Sequence, residues 1–185
     1  MLRAKFNKQI KECMSENLEL VNNDKWRNKY HIMPPVGWIN DPNGLCEFNG
    51  GYHCFYQYSP LNPLGGEKFW GHAVSKDLAN WEQRDIALYP DIKEDINGVY
   101  SGSALVKDDT VYFFYTGNVK YPGDHDYILT GREQNVILVT SKDCVNFSEK
   151  KVLLRNSDFP NNMSLHVRDP KVWEEDGIYY MVLGA

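Results

Sequence analysis

The stretch GLCEFNGGYHCFYQ at residues 44–57 decides the fold, because it reads as two strands joined by a tight turn. Its centre, Asn-Gly-Gly, favours a hairpin turn, and the flanking residues are rich in aromatic side chains that are typical of strands. Two similar segments follow, GSALVKDDTVYFFY at residues 102–115 and DPKVWEEDGIYYMV at residues 169–182. Each of the three predicts a hairpin with an aromatic second strand.

A second element also repeats. The segment SKDLANW at residues 75–81 recurs as SKDCVNF at residues 141–147, in the same order relative to the hairpins. Each unit therefore predicts a hairpin, a third strand, a Ser-Lys-Asp turn and a fourth strand, which is the pattern of a four-stranded propeller blade. Two similar hairpins in a β-sandwich are the alternative that periodicity alone leaves open, and the repeated Ser-Lys-Asp turn disfavours it.

These repeats predict an all-β fold of about two and a half blades after one helix. We expect blade one at residues 38–88, blade two at 99–154, and a third blade that begins near 167 and has two strands by Ala185. Apolar residues spaced three to four apart predict an amphipathic helix from residue 2 to about 22. The predicted domains are a helical extension at 1–29 and a partial β-propeller at 30–185.

Composition limits the classes of partner. The chain has 185 residues, is 42% hydrophobic and 14% aromatic, and carries a net charge of −5. That is enough apolar sequence for a core, and the acidic balance without a basic cluster argues against nucleic acid or a membrane as partner. The N-terminus lacks a continuous apolar segment and no apolar run reaches the ~18 residues of a membrane span, so we predict a cytoplasmic protein.

The four cysteines have neither C-x-x-C spacing nor a histidine at metal-site spacing. We therefore predict reduced core thiols, no metal site and no cofactor. Cys46 and Cys54 flank the first hairpin turn, so a disulfide between them is the open alternative.

The segment WINDPNG at residues 38–44 is the candidate source of chemistry. Pro42 fixes its own φ and biases Asp41 toward an extended backbone, while Gly44 tolerates a positive φ. An acid held this rigidly is a candidate nucleophile. Taken alone, the motif is more typical of an Asx-turn between two strands.

Five motifs in a fixed order favour the nucleophile over the Asx-turn. With them the chain resembles glycoside hydrolase family 32, the family of invertases, sucrose-6-phosphate hydrolases and fructan hydrolases. They are HIMPPVGWINDPNG at residues 31–44, FYQ at 55–57, WGH at 70–72, YSGSA at 100–104 and RDP at 168–170. The resemblance covers residues 31–185. It implies a five-bladed β-propeller followed by a β-sandwich domain, so we expect this chain to be the first part of the catalytic domain.

The resemblance implies a role for individual residues. Asp41 matches the nucleophile that forms a covalent fructosyl-enzyme intermediate with retention, and Asp169 matches the transition-state stabiliser. Both acids begin the first strand of a predicted blade, so both can point into one central funnel. The implied substrate-binding residues are Asn40, Gln57, Trp70, Tyr100, Ser101 and Arg168.

The general acid has no assigned counterpart. In the family it is the Glu of a Glu-Cys pair beyond the RDP motif, and the one Glu-Cys pair here, Glu12-Cys13, lies in the N-terminal helix before the nucleophile. We therefore expect the chain by itself to be inactive.

Two functions are consistent with the sequence. The first is the N-terminal part of a retaining glycosidase that cleaves the β-fructofuranosyl bond of sucrose, sucrose 6-phosphate or short fructans. The second is a non-catalytic carbohydrate-binding or scaffold half-propeller. In either case the half-built third blade exposes an unpaired strand edge, and we expect self-association through it.

Overall fold

One helix is followed by ten strands in the computed structural model, which describes residues 2–185. The helix α1 spans Leu2–Asn22, and a short 3₁₀ helix spans Asn156–Asp158. The strands are β1 (Trp38–Phe48), β2 (Gly51–Ser59), β3 (Phe69–Ser75), β4 (Trp81–Leu88), β5 (Val99–Lys107), β6 (Thr110–Lys120), β7 (Arg132–Ser141), β8 (Lys151–Leu154), β9 (Arg168–Glu175) and β10 (Ile178–Gly184).

The strands form separate antiparallel sheets in chain order. β1 to β4 form one four-stranded sheet, β5 to β8 form a second, and β9 pairs with β10. The first strands lie side by side, because β5 contacts both β1 and β9. This arrangement is that of successive propeller blades with the first strand innermost. The predicted partial propeller and its blade boundaries are confirmed, and the face-packed sandwich is not what forms.

The core between the first two sheets is aromatic. Phe55, Trp70 and Phe113 are fully buried, and the rings of Phe55 and Phe113 meet edge to face with centroids 4.9 Å apart. Gly102 in β5 lies too close to β6 for any other residue: a Cβ there would lie 1.9 Å from the carbonyl oxygen of Phe114. Any side chain at that position would force β5 away from β6.

The two Ser-Lys-Asp turns share a set of hydrogen bonds. The backbone N–H of Leu78 donates to Ser75 Oγ at 2.8 Å, and that of Cys144 donates to Ser141 Oγ at 2.8 Å. In each turn the Asp carboxylate then accepts the backbone N–H of the Asn three residues later, at 2.7 Å. These bonds to the ionised form hold the pKa of both carboxyls well below the usual range. The repeat in the sequence is thus a repeat of local turn chemistry.

The helix α1 packs against the first sheet. Phe6 and Ile10 are buried against Phe69 and Tyr89, and the rings of Phe6 and Phe69 meet edge to face at 5.0 Å. The helix limits agree with the prediction, whereas the proposed domain boundary at residue 29 stays a prediction. Within residues 2–185, no helix is long and apolar enough to cross a membrane.

All four cysteines are free thiols. Cys46 pairs with His53 across the first hairpin, so Cys54, the next residue along, faces the other side of the sheet. A Cys46–Cys54 disulfide is therefore ruled out by the register.

Candidate active site

A bulge in β1 sets the position of Asp41. Ile39 pairs with Tyr58 and Pro42 pairs with Tyr56, so Asn40 and Asp41 both lie opposite the single residue Gln57. Such a bulge bends the strand and redirects side chains, and it is a common feature beside active sites. The bulge leaves both Asn40 and Asp41 exposed to solvent.

The same irregularity recurs in the next two first strands. In β5, Ser101 is the extra residue, since its two neighbours pair with consecutive residues of β6. In β9, Asp169 and Pro170 lie opposite Leu183 alone. The first strands of the three sheets are therefore each bulged near their start, at the residues that the sequence marks for chemistry.

A chain of hydrogen bonds ends at Asp41. Gln57 Nε2 donates to Ser101 Oγ at 2.9 Å, and Ser101 Oγ donates to Asp41 Oδ2 at 2.8 Å. Gln57 and Ser101 are 6% and 8% exposed, so the chain is anchored in the core while the carboxylate stays open to solvent. A hydrogen bond to a charged acceptor is short and orients the acceptor strongly.

Asp169 has an unusual backbone. Its φ is +59°, a region that few residues other than glycine adopt, and its N–H donates to Thr116 Oγ1 at 2.9 Å. Partial burial raises the pKa of its carboxyl, the charge of Arg168 lowers it, and the charge of Asp41 raises it. The Arg168 Nε lies 3.6 Å from Asp169 Oδ2. The two carboxylates are thus close enough to influence each other.

Trp70 lies in the core and not in the sugar-binding shell that we predicted for it. It is 0% exposed, and its Nε1–H donates to the carbonyl oxygen of Tyr100 at 3.0 Å. An indole without exposed surface has no face to offer a sugar ring. Its contact with the site runs through the backbone of Tyr100, the residue before Ser101.

The sequence did not single out two polar residues that support the site. Asn43 is 1% exposed, its Oδ1 accepts the N–H of Gly102 at 3.3 Å, and its Nδ2 is buried without a partner among residues 2–185. Thr116, also fully buried, holds the backbone of Asp169. Asn43 belongs to the WINDPNG motif and could have been found there, whereas nothing in the sequence around Thr116 marks it.

No metal centre is formed by the described residues 2–185: they contain no group of three or more His, Cys, Asp or Glu side chains that could hold an ion.

Residues 31–185 match the family described as the N-terminal domain of glycosyl hydrolases family 32. The chain belongs to glycoside hydrolase family 32. A family 32 relative, the sucrose-6-phosphate hydrolase of Bacillus subtilis (strain 168), is 47% identical over 166 residues, which are 90% of this chain and 33% of that protein. The chain therefore spans about a third of the length of this relative.

Solved family 32 structures have the same fold. A β-fructofuranosidase of Bombyx mori matches with a TM-score of 0.82 and 33% identity, over 98% of this chain and 37% of that one. A sucrose-6-phosphate hydrolase of Lactobacillus gasseri matches with a TM-score of 0.81 and 32% identity, over 93% of this chain and 34% of that one. The resemblance to family 32 inferred from the five motifs is thus confirmed.

Proposed function

We propose that this chain forms the nucleophile-bearing part of a retaining glycoside hydrolase that cleaves the β-fructofuranosyl bond of sucrose or sucrose 6-phosphate. The observation that carries the proposal is the hydrogen-bond chain from Gln57 through Ser101 to Asp41. It presents one solvent-facing carboxylate in a fixed orientation, as a nucleophile requires. Relatives named for these two activities support the choice of bond.

In this mechanism Asp41 attacks the anomeric carbon of the fructosyl unit while the bond to the leaving glucosyl oxygen breaks. The resulting ester between Asp41 and the fructosyl group is then hydrolysed by water, and the two inversions together retain the configuration. The Ser101 hydroxyl holds Oδ2 during the attack. This orientation reduces the rotational freedom that the carboxylate would otherwise lose in the transition state.

Asp169 would stabilise the positive charge that develops on the fructosyl ring and accept hydrogen bonds from its hydroxyls. For this it must be ionised. Burial and the neighbouring Asp41 both raise its pKa, and Arg168 acts in the opposite direction. Arg168 therefore has a defined task, to keep Asp169 charged beside a second carboxylate.

Asn40, Gln57, Tyr100, Ser101 and Arg168 make up the proposed sugar-binding shell. Gln57 and Ser101 would form its floor, since both are buried and polar. Short fructans are further candidate substrates.

The free thiols of all four cysteines support a reducing, cytoplasmic setting.

We propose that the general acid lies outside this chain. The sequence has no Glu-Cys pair after Asp41, and Glu12 is an exposed residue of α1, which packs against Phe69 and Tyr89. Protonation of the leaving group contributes about 10²–10⁴-fold in such reactions. The chain alone is therefore expected to release no measurable glucose from sucrose.

The test is a chimera in which residues 1–185 replace the matching third of the Bacillus subtilis relative. We expect the chimera to hydrolyse sucrose or sucrose 6-phosphate with retention, and the 185-residue chain to hydrolyse neither. NMR of the released fructose identifies the anomer and so reports retention. Robust turnover by the chain alone would place the acid within these residues. A folded chimera that binds sugar without hydrolysis would favour the non-catalytic carbohydrate-binding alternative.

A further inference from the structure

Two cations face each other at the end of the second sheet. Lys120, the last residue of β6, lies directly opposite Arg132, the first residue of β7. Like charges in this cross-strand position destabilise a sheet. The pairing therefore calls for an explanation in a chain whose net charge is −5.

Both cations also contact one ring. Lys120 Nζ lies 5.4 Å from the centroid of Tyr127, and the guanidinium carbon of Arg132 lies 6.0 Å from it. Tyr127 belongs to the loop between β6 and β7 and has a φ of +56°. One aromatic face gives only a modest attraction to each cation, so it does not neutralise the pair.

Arg132 is buried without a carboxylate. It is 8% exposed, and its Nη1 lies 3.0 Å from Nε2 and 3.2 Å from Nδ1 of His166. His166 Nε2 also lies 2.9 Å from the carbonyl oxygen of Tyr127, and burial together with the charge of Arg132 lowers the pKa of this histidine. His166 is thus a neutral partner. The Arg132 Nε–H is buried with no partner among residues 2–185.

Acidic side chains do not neutralise the positive charges of Lys120 and Arg132. Within the described part of the chain, neither Lys120 nor Arg132 forms an ion pair. Glu133, the neighbour of Arg132 in sequence, points to the other side of the strand and accepts a hydrogen bond from the Tyr121 hydroxyl at 2.6 Å. A buried guanidinium with a free N–H donor is the kind of group that an external anion completes.

The pair lies at the same end of the second sheet as Ser101. The start of β5, the end of β6 and the start of β7 share one end of the sheet, and Ser101 lies at that end. Burial raises the pKa of Tyr100, and the charges of Arg132 and Arg168 both lower it. Burial and the charge of Lys120 lower the pKa of Lys68, which lies in the loop before β3. Positive charge therefore gathers around Tyr100, the residue before Ser101 in β5.

We propose that Lys120 and Arg132 bind the phosphate ester of a phosphorylated sugar at this end of the second sheet. The inference rests on the proposed function, because it assigns the leaving group of that reaction. The guanidinium supplies a directional donor to a phosphate oxygen, and Lys120, an exposed residue, supplies a second charge. These two residues would then distinguish sucrose 6-phosphate from sucrose.

The direct test is titration of the 185-residue chain with glucose 6-phosphate, glucose and inorganic phosphate. Binding is measured by calorimetry and by NMR of the backbone amides. We expect glucose 6-phosphate to bind and to shift the amides of Lys120, Arg132 and His166, and glucose to do neither. Lys120→Gln should weaken binding about tenfold, the effect of one charge-assisted hydrogen bond. Lys76→Gln is the matched control, since Lys76 lies in the turn at the opposite end of the first sheet and donates to the Gly50 carbonyl.

Equal binding of glucose and glucose 6-phosphate, or equal weakening by the two lysine variants, would overturn the assignment. Equal affinity for inorganic phosphate and the sugar ester would reduce the site to one for free phosphate and would also overturn it. In the chimera, Lys120→Gln should lower kcat/KM for sucrose 6-phosphate and leave that for sucrose unchanged. If Lys120→Gln leaves the ratio of kcat/KM for sucrose 6-phosphate to that for sucrose unchanged, this inference is refuted and the proposed hydrolysis is not. If the chimera is inactive on both sugars, the proposed hydrolysis is refuted and the binding result is unaffected.

Discussion

Ser101 in the second sheet donates a hydrogen bond of 2.8 Å to Asp41 in the first sheet, across a separation of 60 residues in the chain. The contact joins the bulge of one first strand to the bulge of the next. The orientation of the candidate nucleophile therefore depends on how two neighbouring blades pack. A change in that packing would reach the carboxylate through a single hydroxyl.

Replacing the candidate nucleophile should abolish turnover and preserve binding. In the chimera, Asp41→Asn keeps the shape of the side chain but cannot form the ester, so we expect kcat to fall by at least about 10³-fold. Sugar binding, measured by calorimetry, should stay within a few-fold. Asp169→Asn should also lower kcat severely. Near-normal turnover by Asp41→Asn would remove the assignment of the nucleophile.

The hydroxyl of Ser101 should act on rate more than on folding. Ser101→Ala leaves Asp41 Oδ2 without its donor, and a misplaced catalytic group typically costs about 10–10²-fold in rate. The matched control is Ser103→Ala in the same strand, whose hydroxyl accepts the N–H of Val172 at 3.3 Å. If both variants lower kcat equally, Ser101 contributes to the packing of β5 and does not position Asp41.

A carboxylate in a blade turn should affect stability alone. Asp143→Asn keeps an oxygen for the N–H groups of Val145 and Asn146 but loses the charge that strengthens those bonds. We expect a loss of about 0.5–1 kcal/mol in the free energy of unfolding, from urea titration of the chain. In the chimera the same substitution should leave kcat and KM unchanged. A fall in kcat with unaltered stability would contradict this interpretation.

Stability should depend on pH through His72. Burial, then the charges of His53 and Arg84, lower the pKa of His72 to about 3. Between that value and the ordinary pKa of about 6.5, the unfolded chain binds a proton at this residue that the folded chain does not. The free energy of unfolding must therefore fall as pH is lowered through this window, by up to about 1.4 kcal/mol per pH unit from this group.

The measurement is urea unfolding at several pH values for the wild type and His72→Asn. Carboxylates contribute to both curves, so the difference between the two slopes reports His72 together with its hydrogen-bonded neighbour His53. Parallel curves between pH 4 and 6 would show that His72 takes up its proton equally in both states.

The edge of β10 should make the chain associate with itself. Ile178, Tyr179 and Val182 are 55%, 50% and 53% exposed on a strand that is paired on one side only. Exposed edges with apolar side chains template pairing with another chain. We expect sedimentation at rising concentration to show dimers or larger species. Val182→Lys should shift the equilibrium toward monomer, whereas Val145→Lys, at an exposed turn residue, should not.

The blades could be predicted from sequence because their turns are local. The side chains of Ser75 and Asp77 bond to residues within three positions, and those of Ser141 and Asp143 repeat these bonds and add one to the Asn146 carbonyl, so the pattern is visible in the sequence. Asn43 could not be assigned its contact with Gly102, since that depends on how two sheets meet. The Lys120–Arg132 pair was hidden for the same reason: the two cations become neighbours only once the register of β6 and β7 is known.

The bulges in the first strands separate two functions within one strand. In β5 and β9 the side chains beyond the bulge alternate in step with the partner strand, while before it the alternation is shifted by one residue. In β1 a second register shift follows between Asn43 and Cys46. Substitutions in the packed part can therefore alter the core without turning Asp41 to another direction. Loss of one residue at the bulge would restore regular alternation and turn the carboxylate toward the apolar interface, where an unpaired charge is very costly. The length of the strand start is therefore under a stricter constraint than the identity of the residues that follow it.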